Sequence, residues 1–251
     1  MFSLKVFLIK ALLWSYFCSY MVAQSNIKTE IICTDVCDID TNMFFLEPVP
    51  EVFNDTVSSL NAELFGAYFD HFPDIRMDIL VALSYYPELQ GVKIRFSYRS
   101  IKQTMNSRPS LFNIFRKKAN WQYSIIVNNN KGKHKALPFE KLPFSMKVGW
   151  LGHELAHTLQ YQQMRSGEMV VFAFKYVFSK RFVRKAERYT DLLTIEHGLA
   201  YPLYIGTDFL LNSKDIDKKY RQYALINSLS LNEIKCLWCK YYYELFQYLR
   251  N

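Results

Sequence analysis

Glycine and proline are scarce in this chain, which has eight of each among 251 residues. Low-complexity linkers are rich in these residues, so their scarcity excludes such linkers. The chain also lacks an internal repeat, which excludes a repeat architecture. Half of the residues are hydrophobic, which is enough for a substantial core. These features favour one compact domain.

The N-terminus has no uncharged stretch of the length that crosses a membrane comfortably, which is about 20 residues. Its apolar stretch without charge, from Ala11 to Ala23, has 13 residues and follows Lys5 and Lys10. A basic start, a short apolar stretch and a small residue at its end are typical of a signal peptide. We therefore expect residues 1–23 to be a signal peptide and residues 24–251 to be a single domain, exported to the periplasm or the exterior. An uncleaved membrane anchor is the alternative, because the apolar run continues on the other side of Lys10.

A strong excess of charge is absent as well. Loss of the predicted signal peptide would lower the formal net charge from +8 to +6. An excess of this size is ordinary for a solvated surface and does not by itself indicate a polyanionic partner. We therefore expect no nucleic-acid partner for this exported protein.

Cysteine occurs beyond the predicted signal peptide only at Cys33, Cys37, Cys236 and Cys239. An even number in an exported protein favours disulfides, and pairing of the two chain ends would close a loop of about 200 residues. A structural zinc held by four thiolates is the alternative, although an oxidising compartment disfavours it. We expect no redox role for the second pair, because no thioredoxin-like pattern of strands and helices surrounds it.

The most informative motif that is present is His-Glu-x-x-His, at His153, Glu154 and His157. Residues four apart in a helix lie on the same face, so both imidazoles can bind one metal ion. Glu154 points about 100° away, because a helix has about 3.6 residues per turn. It can act as general base toward a water molecule on a zinc ion. The motif therefore predicts a catalytic zinc site in which His153 and His157 are ligands.

The segment around this motif, residues 143–164, has the pattern of a buried helix. Apolar residues recur at helical spacing on one side, and the two histidines lie with Trp150 and Tyr161 on the other. Buried histidines beside a glutamate need a polar partner, because unpaired buried polar groups are costly. A metal ion meets that need. A structural pair of histidines without metal is the alternative.

The third ligand must come from elsewhere, since a catalytic zinc usually has three protein ligands and one open position. The motif lacks the following Gly and His of the longer His-Glu-x-x-His-x-x-Gly-x-x-His motif, which excludes that class. Glu187 and Asp191 are four apart on a predicted helix, and their like charges call for a positive partner. We expect Glu187 to be the third ligand and Asp191 to accept a hydrogen bond from a ligand histidine. A solvated face with ion pairs to neighbouring arginines is the alternative, and Asp191 and His197 are competing ligands.

This combination of His-Glu-x-x-His and a later Glu-x-x-x-Asp resembles the gluzincins, a group of zinc metallopeptidases. The matching residues are His153, Glu154, His157, Glu187 and Asp191. The chain is also similar to short bacterial secreted proteins that are predicted to be metallopeptidases. The resemblance implies a zinc peptidase with a zincin-like domain, in which Glu187 is the third ligand and Asp191 lies in the surrounding shell.

His197 and Tyr201 are candidates for stabilising the oxyanion of a tetrahedral intermediate, together with Tyr189 and Tyr204. The chain has 18 tyrosines, so the sequence does not rank these candidates. A core or helix-end role is the alternative for His197.

The remaining patterns predict an α+β domain that is mostly helical, with a small sheet before the metal-binding helix. Apolar residues at helical spacing predict helices over residues 51–71, 74–85, 169–178, 182–198 and 201–211. A capping box at Ser230–Glu233 predicts the start of a last helix. We expect the helix over 169–178 to pack in the core, with peripheral contact to a membrane as the alternative.

Two strands are predicted, over residues 92–98 and 121–127, because apolar and polar residues alternate there. Asn106-Ser-Arg-Pro109 predicts a loop between them. One of the two strands is expected to pair with an extended substrate beside the metal, because backbone pairing can hold many peptide sequences.

Together these features predict an exported zinc metallopeptidase that acts on a peptide or protein substrate. A non-catalytic protein that binds a peptide or is stabilised by zinc is one alternative. A zinc hydrolase of lipids or of non-peptide amides is another, and a deep apolar pocket would favour it over a cleft bordered by a strand. The open coordination position separates a catalytic from a structural zinc, because a structural site fills it with a fourth protein ligand.

Overall fold

The computed structural model of the protein describes residues 75–101, 103–110, 116–129, 139, 142–214 and 216–250. All of them lie in one unit of the chain, Asp35–Asn251. The predicted signal peptide, the helix predicted over residues 51–71, and Cys33 and Cys37 lie outside the described residues. These predictions therefore stay predictions.

A three-stranded sheet forms from β1 (Lys93–Arg99), β2 (Met105–Pro109) and β3 (Gln122–Asn128). The strand order is β1-β3-β2, with β1 parallel and β2 antiparallel to the central β3. Alternate side chains of β1, Ile94 and Phe96, are buried in the core, as a half-buried strand requires. β1 and β3 confirm the two predicted strands.

The predicted loop over Asn106–Pro109 is wrong, because these residues belong to β2. Their polar and proline content resembles a turn. Among the described strands, however, β2 is an edge strand that pairs with β3 alone, with Ser107 opposite Ile125. Proline is tolerated on edge strands, where a missing N–H need not cost a ladder hydrogen bond. The residue pattern of this segment therefore did not predict the strand, which is stabilised by its pairing with β3.

Helices make up most of the described chain. Helix α1 (Arg76–Ser84) precedes the sheet, and α2 (Phe144–Gln163), α3 (Ser166–Phe178) and α4 (Lys180–Thr194) follow it. These four confirm helices that the sequence predicts, and the small sheet before α2 confirms the α+β class. Within the part of the chain that the structure describes, no helix has both the length and the apolar character needed to cross a membrane.

A π-helical turn, Ile195–Leu199, follows α4, and α5 (Ala200–Asn212) begins after it. Gly198 has φ 84°, a left-handed conformation that glycine adopts at little cost. The glycine therefore separates two helices, as expected from a helix that ends at Gly198 and a further one over residues 201–211.

Two helices complete the described chain, α6 (Lys218–Asn227) and α7 (Leu231–Arg250). The sequence did not predict α6. The capping box before α7 is confirmed: the Ser230 N–H donates to the Glu233 carboxylate at 2.9 Å, and the Glu233 N–H donates to Ser230 Oγ at 3.3 Å.

Helix α2 lies at the centre, in contact with α1, β2, α4 and α5. Leu151 and Leu155 are fully buried on its apolar side. A Cβ at Gly149 would lie 2.4 Å from the Pro202 carbonyl oxygen, so the close approach of α5 requires glycine there. Because α2 is held on several sides, the polar side chains that it carries have fixed positions.

Candidate metal centre

The two motif histidines extend from the same face of α2. His153 and His157 lie one turn apart, and their ring centroids are 4.8 Å from each other. His157 is buried, with 6% of its surface exposed, and His153 is partly buried. The helix forms here because leucine and alanine, which favour helices, alternate with the motif residues.

Helix α4 packs against α2 and presents Glu187, Thr190 and Asp191 to the histidines. Positions three and four apart share one helix face, and all three of these side chains are buried. The alternative of a solvated charged face is therefore wrong for Glu187 and Asp191. The neighbouring Arg188 points elsewhere, to Glu233 on α7.

Three potential ligand atoms converge between the two helices. Nε2 of His153 lies 3.4 Å from Oε2 of Glu187, and Nε2 of His157 lies 3.6 Å from the same oxygen. Ligand atoms of all three residues lie within 4.8 Å of one another. This group can hold a metal ion, and it matches the three ligands that the sequence predicts.

Asp191 fixes the orientation of the first histidine. Its Oδ1 accepts a hydrogen bond of 2.9 Å from Nδ1 of His153, because a carboxylate can only accept. Its Oδ2 accepts a second bond, of 2.8 Å, from the Leu229 backbone N–H. With the proton held on Nδ1, the lone pair of Nε2 faces Glu187 and is free for a metal ion.

Thr190 has the same effect on the second histidine. Its hydroxyl donates to the Ala186 carbonyl oxygen at 2.9 Å, so its oxygen accepts from Nδ1 of His157 at 3.0 Å. In the neutral ring, the proton of His157 is therefore also on Nδ1, and Nε2 carries the lone pair. Both imidazoles thus present the nitrogen that faces Glu187.

The electrostatics of the group favour a cation at this point. Burial opposes the charged form of His153, but the carboxylates of Asp191 and Glu187 outweigh burial and hold the pKa of His153 well above its usual value. Burial likewise raises the pKa of Glu187, and the two histidines outweigh it and keep that pKa well below its usual value. A buried site in which two carboxylates face two imidazoles is stabilised by positive charge, which protons on the imidazoles or a metal ion can supply.

A tyrosine on α3 completes the surroundings of Glu187. The Tyr176 hydroxyl donates to Oε1 of Glu187, whereas Oε2 faces the histidines. One oxygen is thus occupied by a hydrogen bond and the other is directed at the metal position. This arrangement favours a carboxylate ligand that binds through one oxygen.

Glu154 lies next to the ligands without belonging to their group. Burial raises the pKa of its carboxyl group, and Glu187 adds to the rise, while His157, His153 and a hydrogen bond from the Ser107 backbone N–H oppose it. Ser107 belongs to the edge strand β2. Glu154 and the sheet edge therefore meet at the same place.

A cleft opens over this group, and its lining mixes polar and apolar side chains. Residues 103–107, at the start of β2 and just before it, form one wall. The other walls come from α2, α3, α5 and α6, with these side chains: Trp150, Tyr161, Tyr176, Leu203, Thr207, Leu210, Tyr220 and Tyr223. The sheet edge at the cleft is β2, and neither of the two predicted strands supplies it.

The structure does not bring the predicted oxyanion donors to this cleft. His197 stacks on Tyr86 with ring centroids 4.4 Å apart and donates from Nδ1 to the Leu193 carbonyl oxygen at 2.7 Å. Tyr201 packs against Trp238 at 5.7 Å. Neither is among the described residues that line the cleft. His197 therefore has the core or helix-end role that was its alternative.

Two of the four cysteines that are predicted to form disulfides are among the described residues. Cys236 and Cys239 lie on α7, and their candidate partners lie outside the described part of the chain. Disulfide pairing therefore stays a prediction.

Several residues of the site were missed by the sequence reasoning. Thr190 is three residues from Glu187, so helical spacing alone would place it on the ligand face. Ser107 was hidden in a segment interpreted as a loop. No local sequence pattern marks Tyr176, Tyr220 or Tyr223 as site residues, because only the packing of α3 and α6 brings them to the cleft.

In comparisons with known proteins, no family model matches this chain, and no curated protein and no solved structure matches it either. Its relation to any family therefore rests on the residues of the site.

Proposed function

We propose that this protein is an exported zinc-dependent peptide hydrolase of the gluzincin kind. The observation that carries the proposal is the convergence of His153, His157 and Glu187 beside Glu154, at the edge of a β-strand. Export rests on the signal peptide predicted over residues 1–23.

The ligand set supports zinc as the metal. Two ligands at about 2.0–2.1 Å from a tetrahedral zinc lie about 3.4 Å apart, close to the observed 3.4 and 3.6 Å between the imidazole nitrogens and Glu187. Two neutral imidazoles and one carboxylate form a ligand set found in catalytic zinc sites. Three such ligands among the described residues leave a position open. When bound, zinc supplies a Lewis acid and lowers the pKa of water to about 7.

Glu154 is the proposed general base. It takes a proton from the attacking water as the bond between the water oxygen and the peptide carbonyl carbon forms. It returns this proton to the amide nitrogen as the carbon–nitrogen bond breaks, so the leaving group departs as a neutral amine. The hydrogen bond from the Ser107 N–H holds the carboxylate in place for both transfers.

The edge of β2 is the proposed binding site for an extended substrate. β2 pairs on one side with β3, and its other edge borders the cleft. Addition of a peptide as a further strand would give affinity through backbone hydrogen bonds. Trp150, Leu203 and Leu210 line the cleft and would favour an apolar substrate side chain. Tyr220 and Tyr223 lie in the cleft and replace His197 and Tyr201 as the candidates that donate to an oxyanion.

The experiment that tests this function is cleavage of a peptide library by the purified protein, beside Glu154→Gln. We expect the variant to keep its zinc and to lose about 10³-fold in rate, the scale of general acid–base catalysis. Glu88→Gln is the matched control, since Glu88 is 53% exposed and contacts His197 instead of the ligands. It should cleave like the wild type.

Two outcomes would overturn the proposal. Cleavage by Glu154→Gln at the wild-type rate would remove the general base from the mechanism. Zinc binding without cleavage of any library peptide by the wild type would favour a structural or peptide-binding role instead.

A further inference from the structure

The outer side of α3 exposes large apolar side chains. Val170, Phe174, Val177 and Phe178 have 49%, 64%, 73% and 71% of their surfaces exposed. Their spacing of four, three and one places them on one face of the helix. Contiguous exposed apolar surface of this kind marks an interaction site more often than an ordinary solvated surface.

The inner side of the same helix is already buried. Met169 and Phe172 have 1% and 4% of their surfaces exposed and pack with Tyr161 and Trp121. Packing against the protein therefore does not account for the apolar outer side. A helix that is apolar on both sides needs a second apolar environment.

The charges around this face have one sign. Between Glu168 and Glu187 the sequence has five basic residues and no acidic residue. Four of them lie in the first two turns of α4, directly after the apolar end of α3, and all four are exposed: Lys180, Arg181, Arg184 and Lys185. The combined surface is thus an apolar face next to a cluster of cations.

We propose that the outer face of α3 and the start of α4 bind the surface of an anionic phospholipid bilayer. The aromatic and valine side chains of α3 insert at the boundary between headgroups and acyl chains, and the cations of α4 contact lipid phosphates. Helix α3 has 13 residues, about 20 Å at 1.5 Å per residue. This is shorter than the hydrocarbon core of about 30 Å, so the helix lies in the interface.

The charge pattern favours a bilayer over a second copy of the chain. A twofold contact through α3 would place this face against its own copy, which has five basic residues and no acidic residue between Glu168 and Glu187 to complement the cations. An anionic lipid surface complements the same cluster.

Such binding would hold the metal cleft near the membrane surface. Tyr176, on the same helix, lines the cleft and donates to Glu187. The lipid-binding surface uses none of the proposed catalytic groups, so Glu154→Gln should bind vesicles like the wild type whether or not the protein is a hydrolase.

The test is co-sedimentation of the purified protein with vesicles of phosphatidylcholine and phosphatidylglycerol, and with vesicles of phosphatidylcholine alone. We expect stronger binding to the anionic vesicles, weakened by salt. Phe174→Ser with Val177→Ser should lower the partition coefficient at least about tenfold, because it removes two of the four apolar side chains of this face. Leu225→Ser is the matched control, because Leu225 is 61% exposed on α6, and it should bind like the wild type.

A second pair of variants tests the charges separately. Lys180→Glu with Arg181→Glu should lower binding to anionic vesicles about tenfold or more. Lys218→Glu with Lys219→Glu changes the net charge equally at the exposed start of α6 and should have little effect. Equal losses of vesicle binding in the Lys180→Glu, Arg181→Glu variant and in the Lys218→Glu, Lys219→Glu variant would overturn the proposal. Unchanged vesicle binding in the Phe174→Ser, Val177→Ser variant would overturn it too. Association of the protein with itself through α3, without vesicle binding, would overturn it as well.

Discussion

The metal centre and the outer face of α3 depart from the usual distribution of residues in opposite directions. Between α2 and α4, polar groups such as Glu187 and Asp191 are buried. On α3, apolar groups such as Phe174 are exposed. Each of His153, His157 and Glu187 has a hydrogen-bond partner on one side-chain atom and directs another atom at the same point. The exposed apolar groups of α3 instead share one face beside cations. Buried polar groups therefore indicate a small ligand, and exposed apolar groups indicate an extended surface.

The two sides of α3 give the largest expected contrast. Phe172→Ala should lower the free energy of unfolding by about 3–5 kcal/mol, because it leaves a cavity in the core. Phe174→Ala should change it by less than about 0.5 kcal/mol, as for most exposed positions. Urea unfolding measures both. A large loss in Phe174→Ala would mean that this side chain is buried in the folded protein, against the inferred lipid surface.

Asp191→Asn tests how much the hydrogen bond from His153 to Asp191 contributes to zinc affinity. The substitution removes the charge that faces His153 and places an amide donor toward the Leu229 N–H. We expect zinc affinity to fall by about 10–100-fold, measured by competition with a chelator. Asp208→Asn is the control, since Asp208 bonds to Asn212 on α5. Equal affinities in the two variants would show that Asp191 does not orient a ligand.

Thr190→Val should have a smaller effect. Valine has a similar shape but leaves Nδ1 of His157 without its acceptor. We expect zinc affinity to fall about tenfold, at the lower end of the range for residues that orient a ligand. Thr190→Ser keeps the hydroxyl and should restore most of the affinity. Failure of serine to restore it would indicate that Thr190 acts through packing alone.

The smallest expected effect concerns the ion pair that links α4 to α7. Partial burial raises the pKa of Glu233, but hydrogen bonds from Arg188 and Ser230 lower it to about 2. Since the folded pKa lies below the unfolded value, the contribution is present above about pH 4.5 and is lost as the pH falls toward 2. Glu233→Gln should therefore cost up to about 1 kcal/mol at pH 6 and less at pH 3.5. Urea unfolding of metal-free protein at both pH values tests this, and a pH-independent cost would contradict it.

Local spacing was enough to predict the three residues that can hold a metal ion. It was not enough to predict the residues that line the cleft around them. His153 and His157 share a helix face by periodicity alone, and Glu187 and Asp191 share another. The identity of the sheet edge was not predictable, because β2 is held by pairing with β3 and not by its own residue pattern. Tyr176 and Tyr220 reach the cleft only through packing of helices distant in sequence. His197 stacks on Tyr86 and does not line the cleft, which fits its alternative role in the core or at a helix end.

The most direct test of the central claim is the zinc stoichiometry of the purified protein by native mass spectrometry, beside His157→Ala and Glu187→Ala. The account predicts one zinc per wild-type chain and none, or a small fraction, in either variant, because each loses one of three ligands. A wild-type protein without zinc, or a Glu187→Ala variant that retains a full zinc ion, would contradict the proposed centre.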